Sequence, residues 1–412
     1  MKQLVNIGIG VFLSPFVYLH YIIFGRKANI WLFGSWRGNK YSDNSKALYE
    51  YVLQNEKEIR PIWITQNAKV YEELKTRNYP VLMASSFKAI YYMLRAGFCC
   101  GPLSATTDVF GNKAWLGYGI KALYLTHGMP SKHSGYDEPQ MLRKKRLITQ
   151  QQPLWLRFYF KIFPQKNPKR LYTISTSDFF IPFLASCTLT PSQNIFVTGT
   201  PRLDTLFSTT KDPYISSIRQ KYPSAKIIMY MPTFRDSYDG GESFKPFEQF
   251  NFNSQRFVQL LEEKNYIFLN KGHYWDGLLC DREFSERFIN VEDNPMLDIY
   301  SMIKDIDILM TDYSSIYFDF LPLMKPVILT PFDYETFIKN KRGYYFNYLE
   351  ELPSIKAFDW NEVCDILEQE TYFSLSADQT KVYHKYIDGN SSQRLTQVVR
   401  HLLSNKHTPY VS

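Results

Sequence analysis

An α/β protein of two facing, doubly wound domains behind a hydrophobic N-terminal helix is the fold class the sequence predicts, on three observations. The chain has 412 residues, more than one hydrophobic core ordinarily organises, so two domains are expected. Short apolar runs rich in β-branched and aromatic residues alternate with amphipathic stretches, the pattern of parallel sheets built from right-handed βαβ units. The runs fall into two sets, with the change near the Gly199–Asp212 segment. Each set reads as one Rossmann-type domain, and a cleft is expected between them.

In the first set the expected strands are Ile30–Gly34, Pro61–Ile64, Gly97–Gly101, Ala122–Thr126 and Ile195–Gly199. In the second they are Ile227–Met231, Tyr266–Asn270, Phe288–Val291, Asp307–Met310 and Val327–Pro331. Helical patterns such as Ser45–Glu56 and Phe257–Lys264 lie between them. The domains are therefore expected at 1–27 (a membrane-associated hydrophobic segment), 28–205 and 206–412. From Leu4 to Phe24 no residue is charged, and Arg26-Lys27 follow. That run reaches the length of about 20 residues that crosses a bilayer, although Asn6, Ser14, Pro15 and His20 interrupt it. A spanning or monotopic anchor is the expectation, with a helix buried on the protein and a cleaved signal as the other readings.

With 45% hydrophobic and 21% charged residues, the chain buries a real core, which excludes a disordered protein. A net charge of +8 favours an anionic partner: a nucleotide, a phosphate polymer, nucleic acid or an acidic lipid surface. No nucleic acid is expected among the partners, since neither an RNP-type aromatic motif nor a helix-turn-helix signature is present. Cys99, Cys100, Cys187, Cys280 and Cys364 form no CxxC pair and no metal-ligand spacing, so they read as reduced thiols of a cytoplasmic protein. Arg143–Arg170 interleaves Arg143, Lys144, Lys145, Arg146, Arg157, Lys161, Lys166, Lys169 and Arg170 with bulky apolar residues. Such a stretch fits a helix in an anionic membrane interface; the alternative is a surface helix whose charges are simply solvated.

The most informative chemistry lies in Asp307–Phe332. A strand there meets a polar turn, Thr311–Ser315, and then a helix expected over Ile316–Met324. Free backbone N–H groups where a parallel strand gives way to a helix make a phosphate site, and Ser314 and Ser315 add hydroxyl donors. Helix capping by the same serines is the plain alternative, and the two are compatible. His127 directly follows the apolar run Ala122–Thr126 and precedes Gly128, which exposes an imidazole at a strand end. Such a ring can take the proton that a hydroxyl loses as it attacks phosphorus. His273 stands just past a strand of the second domain, so the two histidines are expected to meet across one cleft. In Met231-Pro-Thr233-Phe-Arg235-Asp236 a strand runs into a Pro-Thr turn and an arginine suited to phosphate. Arg202 and Asp204, in the Gly-Pro turn between the domains, read as a structural pair of the hinge, with a ligand role as the minority case. Asp305-Ile-Asp307 mimics a metal-binding DxD, but Asp307 is placed at a strand start and no metal is assigned.

The blocks THGMP, TGTPRLD, MPTFRD, KGH and TDYSSIYFDF, followed by RGYYFNY at 342–348, stand in the order found in the CDP-glycerol glycerophosphotransferase family of teichoic-acid synthesis, which this chain resembles over roughly residues 28–350. The TDYSS–FDF block is the most specific part of the resemblance. It implies a GT-B-like fold, no obligatory metal or other cofactor, and peripheral attachment to the cytoplasmic face of the cell membrane. It also implies CDP-glycerol or CDP-ribitol as donor substrate and a lipid-linked or polymer acceptor. His127 matches the histidine assigned as base. His273, Ser314 and Ser315 match positions near the donor pyrophosphate, and Thr233, Arg235 and Lys271 join them on the phosphate side. Gly128, Arg202, Asp204, Asp312 and Asp319 are expected to support the site. The chain departs from the pattern at Thr200, where asparagine is common, and at Lys271-Gly272, where an Arg-Leu or Arg-Met pair usually precedes the histidine. Lys271 then replaces the arginine's charge.

The expected reaction is in-line: His127 deprotonates an acceptor hydroxyl, which attacks the glycerol-bearing phosphorus and expels CMP. One rival is a glycosyltransferase of the same architecture that uses a nucleotide sugar for capsule or lipopolysaccharide synthesis. The other is a non-catalytic scaffold binding anionic polymer through Arg143–Arg170, which leaves the serine turn and both histidines without a purpose.

Overall fold

A computed structural model describes residues 2–233, 244–272, 284–292, 295–340 and 343–404. Among them, strands assemble into two parallel sheets. The first contains β1 (Lys27–Phe33), β2 (Arg60–Thr65), β3 (Val81–Met83), β4 (Ala96–Gly101), β5 (Lys121–Tyr124), β6 (Tyr172–Ser175) and β7 (Ile195–Val197) in the order β3-β2-β1-β4-β5-β6-β7. The second contains β8 (Lys226–Met231), β9 (Tyr266–Asn270), β10 (Phe288–Asn290), β11 (Ile308–Thr311), β12 (Val327–Leu329) and β13 (Ile355–Lys356) in the order β10-β9-β8-β11-β12-β13. Both orders reverse direction after the first strand of the lobe, the doubly wound arrangement in which ligands sit beyond the carboxyl ends of the strands at the switch point. In the second lobe that point lies between β8 and β11, whose pairing runs from Ile308 opposite Ile228 to Thr311 opposite Met231.

The strands form where buried apolar runs are punctuated by turn residues, and each strand foreseen is present with ends shifted by a few residues. β3, β6 and β13 were not foreseen; at three, four and two residues they are too short to show a period. β4 is buried along its whole length. Gly101 closes it because a Cβ there would stand 2.5 Å from Asp108 Oδ2.

Hydrophobic clusters line both faces of each sheet, and one of them crosses between the lobes. Met129, Phe180, Leu184 and Leu203 of the first lobe pack with Ile316, Phe318 and Phe320 of the second. Helix Ser391–Leu403 departs from the expected division at 205/206. Although it follows the second sheet, Leu395, Val398 and Val399 are fully buried in the first lobe's core with Trp31 and Phe33. Each such Val or Leu contributes about 1.5–3 kcal/mol, so the return crossing ties the lobes together. The described cysteines, Cys99, Cys100, Cys187 and Cys364, are buried free thiols, while Cys280 lies outside the described residues.

The N-terminal helix corrects one expectation. It runs from Lys2 to Phe24 through Pro15, and no described helix is long and apolar enough to cross a membrane. One face packs on the first lobe: a Cβ at Gly10 would meet the Trp115 ring at 3.1 Å, Val17 is buried, and Tyr18 and Tyr21 both lie against Tyr118. Arg26, after the helix, is turned into the protein. Its guanidinium donates to the carbonyls of Tyr118, Leu116, Met93 and Ala96, and burial lowers its pKa to about 10. The basic stretch is likewise not one interface helix. Helix Leu142–Arg146 runs into a wide turn at Leu147–Gln151, helix Leu154–Ile162 starts afresh after Pro153, and turns at Pro164–Lys166 and Pro168–Arg170 follow. Prolines at 153, 164 and 168 supply no N–H and restart the chain each time.

Candidate active site

The lobes enclose a cleft of about 1070 Å³. From the first lobe, β5 ends at Tyr124, and Thr126 takes a left-handed φ of 51°. Thr126 Oγ1 then accepts from the Gly128 N–H at 3.0 Å and donates to the Gly128 carbonyl at 2.5 Å. This turn presents His127 to the cleft. From the second lobe, the turn after β11 presents Ser314 and Ser315 to the same space. The two turns touch: a Cβ built on Gly128 would fall 1.9 Å from Ser315 Oγ and 2.6 Å from its Cβ. Only a residue without a side chain lets the lobes approach this closely.

The serine turn is organised by Asp312. Its Oδ1 accepts from the Thr233 N–H at 2.7 Å and from the Tyr313 N–H at 2.5 Å, which fastens the end of β8 to the end of β11. Thr233 lines the cleft there together with Lys271, whose N–H donates to the Tyr230 carbonyl at 2.9 Å. Ser314 Oγ accepts from the Ile316 N–H at 3.3 Å, so it does cap, whereas Ser315 makes no capping bond. The helix expected over Ile316–Met324 is shorter: five residues, Ile316–Phe320, followed by a tight turn, Leu321–Leu323, where Pro322 intervenes. The donors this turn offers to the cleft are therefore its own N–H groups and hydroxyls rather than the end of a long helix dipole. His384 supports the helix from behind, its Nε2 2.8 Å from the Phe318 carbonyl, and burial lowers its pKa to about 4, which keeps it neutral.

His127 opens to solvent on the cleft side and is enclosed by protein elsewhere. That enclosure pushes its pKa below the ordinary 6.5; Asp43 pulls the other way, and Arg202 and Lys132 add to the lowering. The backbone at Pro102, like Asp43, favours the charged ring.

Beneath the contact of the two turns lies a buried ionic cluster. The Arg202 Nη1–H donates to Asp43 Oδ1 at 2.8 Å in the first lobe, and its Nη2–H donates to Asp319 Oδ2 at 2.6 Å in the second. The guanidinium sits 4.7 Å from the Tyr300 ring centroid, and the Tyr300 hydroxyl donates to the same Asp319 oxygen at 2.9 Å. Burial works against the Arg202 charge, yet Asp319, Tyr300 and Asp43 hold its pKa above the usual value. Burial likewise raises Asp319, against the pull of Arg202. Arg202 and Asp204 do not form the expected pair. Asp204 accepts from the N–H groups of Ser391 at 2.8 Å and Ser392 at 2.7 Å, capping the helix that returns to the first lobe. Alternation along one turn sends the two side chains to different partners.

Asp305 and Asp307 are engaged away from the cleft. Asp305 accepts from the Asp212 N–H at 2.7 Å and from Lys211 at 3.0 Å, and Asp307 accepts from the Ile227 N–H at 2.7 Å and from Arg219 at 2.9 Å. Arg235 and His273 lie outside the described residues, as does Arg342 of the RGYYFNY block.

A model of the family described as CDP-glycerol:poly(glycerophosphate) glycerophosphotransferase matches residues 16–401. The chain belongs to this family. A teichoic acid glycerol-phosphate transferase of Staphylococcus aureus is 30% identical over 389 residues, covering 90% of this chain and 92% of that protein. A teichoic acid poly(glycerol phosphate) polymerase of Bacillus subtilis is 25% identical over 388 residues, which span 89% of this chain and 48% of that longer protein. Among solved structures, the wall teichoic acid polymerase TagF superposes with a TM-score of 0.69 at 21% identity and covers 99% of both chains. A Staphylococcus aureus MnaA–UDP complex has a TM-score of 0.55 at 16% identity, covering 93% of this chain and 98% of that one. These likenesses agree with the GT-B-like arrangement expected above.

This glycerophosphotransferase also has cleft residues that the sequence reading passed over: Trp36, Lys40, Asp43, Lys132 and Tyr300. Asp43 takes a left-handed φ of 68° just before Asn44, whose side-chain amide donates to the Leu125 and Thr126 carbonyls at 2.9 and 2.8 Å. The signal available was the polar stretch Gly34–Asn44 directly after β1, at the switch point of the first sheet, where a strand-to-helix loop is placed to meet a ligand.

Proposed function

We propose that this enzyme transfers glycerol phosphate from CDP-glycerol to the hydroxyl of a teichoic-acid acceptor and releases CMP. The observation that carries this reading is the contact of the His127 turn with the Ser314–Ser315 turn inside one cleft. Both turns line that cleft, so this reading has the imidazole and the serine-turn donors act on one bound diphosphate. In this mechanism the neutral imidazole of His127 takes the acceptor proton. The Ser314 and Ser315 hydroxyls, the N–H groups of their turn, Thr233 and Lys271 hold the diphosphate and receive the charge that grows on it as the P–O bond to CMP breaks. Arg235 and His273 are assigned to the same diphosphate from their places in the sequence. Asp312, Asp319 and Arg202 position these groups without touching the reacting atoms.

The test is nucleotide release from a panel of CDP-glycerol, CDP-ribitol and UDP-sugars with purified protein and a lipid-linked acceptor. CMP released from CDP-glycerol is the expected result. Turnover of a UDP-sugar with no CMP would replace this reading with the glycosyltransferase.

We further propose that the acceptor is met at the cytoplasmic surface of an anionic membrane. On helix Lys2–Phe24 the residues Ile9, Phe12, Phe16, Leu19 and Ile23 are exposed along one stripe, and Leu154, Trp155 and Phe158 are exposed on helix Leu154–Ile162. The first helix packs against the turn Gly111–Gly117, whose Ala114 carbonyl accepts at 2.7 Å from Gln165, in the turn that follows helix Leu154–Ile162. Apolar side chains beside a segment carrying cations and no carboxylate suit an interfacial docking surface. Sedimentation with vesicles measures this: binding is expected to rise with phosphatidylglycerol content and to fall on replacing Phe12, Phe16 and Trp155 with serine. Equal sedimentation of the triple variant would discard the surface.

A further inference from the structure

We infer that Trp36 and Lys40, on the loop between β1 and helix Asp43–Asn55, form the subsite that selects the acceptor. The carbon skeleton of a polyol or sugar lies against the indole and an acidic group beside it meets the lysine. The inference rests on the transferase reading above and names residues that reading leaves without a role.

Placement is the first argument. The second-lobe wall of the cleft carries the anion donors, so a nucleophile attacking in line with the departing nucleotide approaches from the first-lobe side. There the wall beside His127 is Trp36, Lys40 and Ser42. The indole stands edge-on to the imidazole, with ring centroids 6.3 Å apart at 61°, and is half-buried rather than packed into the core. Lys40 Nζ lies 5.6 Å from the indole centroid. An apolar ring beside a point charge matches a molecule whose C–H face and phosphate are neighbours.

Backbone cost is the second argument. Trp36, Arg37 and Gly38 adopt consecutive left-handed conformations, with φ of 49°, 57° and 82°. Only the last is glycine, so two bulky residues are held where L side chains are unfavourable. The surroundings enforce it. The Arg37 N–H donates to Asp108 Oδ1 at 2.7 Å, and the Gly38 carbonyl accepts from the Gln66 N–H at 2.8 Å and Thr65 Oγ1 at 2.7 Å. Tyr41 N–H then reaches across to the Pro295 carbonyl at 2.9 Å, which fixes the loop to both lobes. A loop needed only as a connection would relieve this conformation with glycine. Here it presents an indole rigidly at the base.

The experiment compares two soluble acceptors, an alkyl disaccharide ending in glycerol phosphate and the same compound without the phosphate, by CMP release. CDP-glycerol affinity is measured separately by calorimetry. Trp36→Ala is expected to lower kcat/KM for the phosphate-bearing acceptor by at least about tenfold, mostly through KM. CDP-glycerol affinity should stay within about twofold of wild type. Trp36→Phe should restore most of the loss, which separates ring contact from loop folding. Lys40→Ala should erase the preference for the phosphate-bearing compound. Unchanged acceptor KM in both variants, or a parallel loss of CDP-glycerol binding, overturns the subsite. Wild-type protein that neither binds CDP-glycerol nor releases CMP fails differently: it removes the transferase reading itself, and this inference with it.

Discussion

Replacing His127 with alanine is expected to lower transfer by roughly 10²–10⁴-fold, the usual worth of a positioned general base, while leaving CDP-glycerol affinity unchanged. The side chain projects into the cleft from a turn that Thr126 and Gly128 hold by their own hydrogen bonds, so the variant should fold. The pH profile of the wild type supplies an independent check. Enclosure lowers the imidazole pKa from its ordinary 6.5, and the neutral ring is the form able to take a proton. Activity therefore falls as pH drops through a value below 6.5, and kcat/KM should be flat through neutrality. In His127→Ala that acidic limb should disappear. A folded variant turning over at the wild-type rate, or a wild-type limb centred above 6.5, would take His127 out of the reaction.

The second large effect concerns Arg202→Met. Removing the guanidinium leaves the Asp43 and Asp319 carboxylates buried without a counter-charge at the junction of the lobes. Breaking one partner out of such a cluster costs about 3–5 kcal/mol. Denaturant unfolding should show this loss, and transfer should fall as well, because the cluster lies under the contact between Gly128 and Ser315. Adding Asp319→Asn to Arg202→Met should recover part of the stability, since one orphaned charge is then removed. A stable, fully active Arg202→Met would mean that the cluster holds neither the lobes nor the cleft. The two predictions separate cleanly: one loses chemistry with the fold kept, the other loses both.

Much of the architecture was legible because its causes are local. Apolar runs bounded by turn residues marked β1, β2, β4, β5, β7 and the strands β8 to β12, and their alternation with helical stretches implied parallel sheets. The same local logic put His127 and the serine pair at strand ends. What failed to show were elements with too few residues to carry a period, such as β13, and the true length of the helix after the serine turn. The one-sided packing of helix Lys2–Phe24 was also hidden, since a run without charges reads alike whether one face or every face is covered. In the structure Val17 is buried while Phe16, beside it, is exposed.

By itself the sequence determined which side chains stand where strands end: His127 after β5, Thr233 after β8, Ser314 and Ser315 after β11. Strand ends and turns depend on neighbours a few residues away, and those are written in order along the chain. Only the tertiary structure decided that Arg202 reaches Asp43 across 159 positions and Asp319 across 117. It alone decided that Gly128 lies against Ser315, that Asp204 caps the final helix, and that Trp36 faces the imidazole. Such partners follow from how two sheets pack, and the packing answers to the summed burial of both cores rather than to any local stretch of residues.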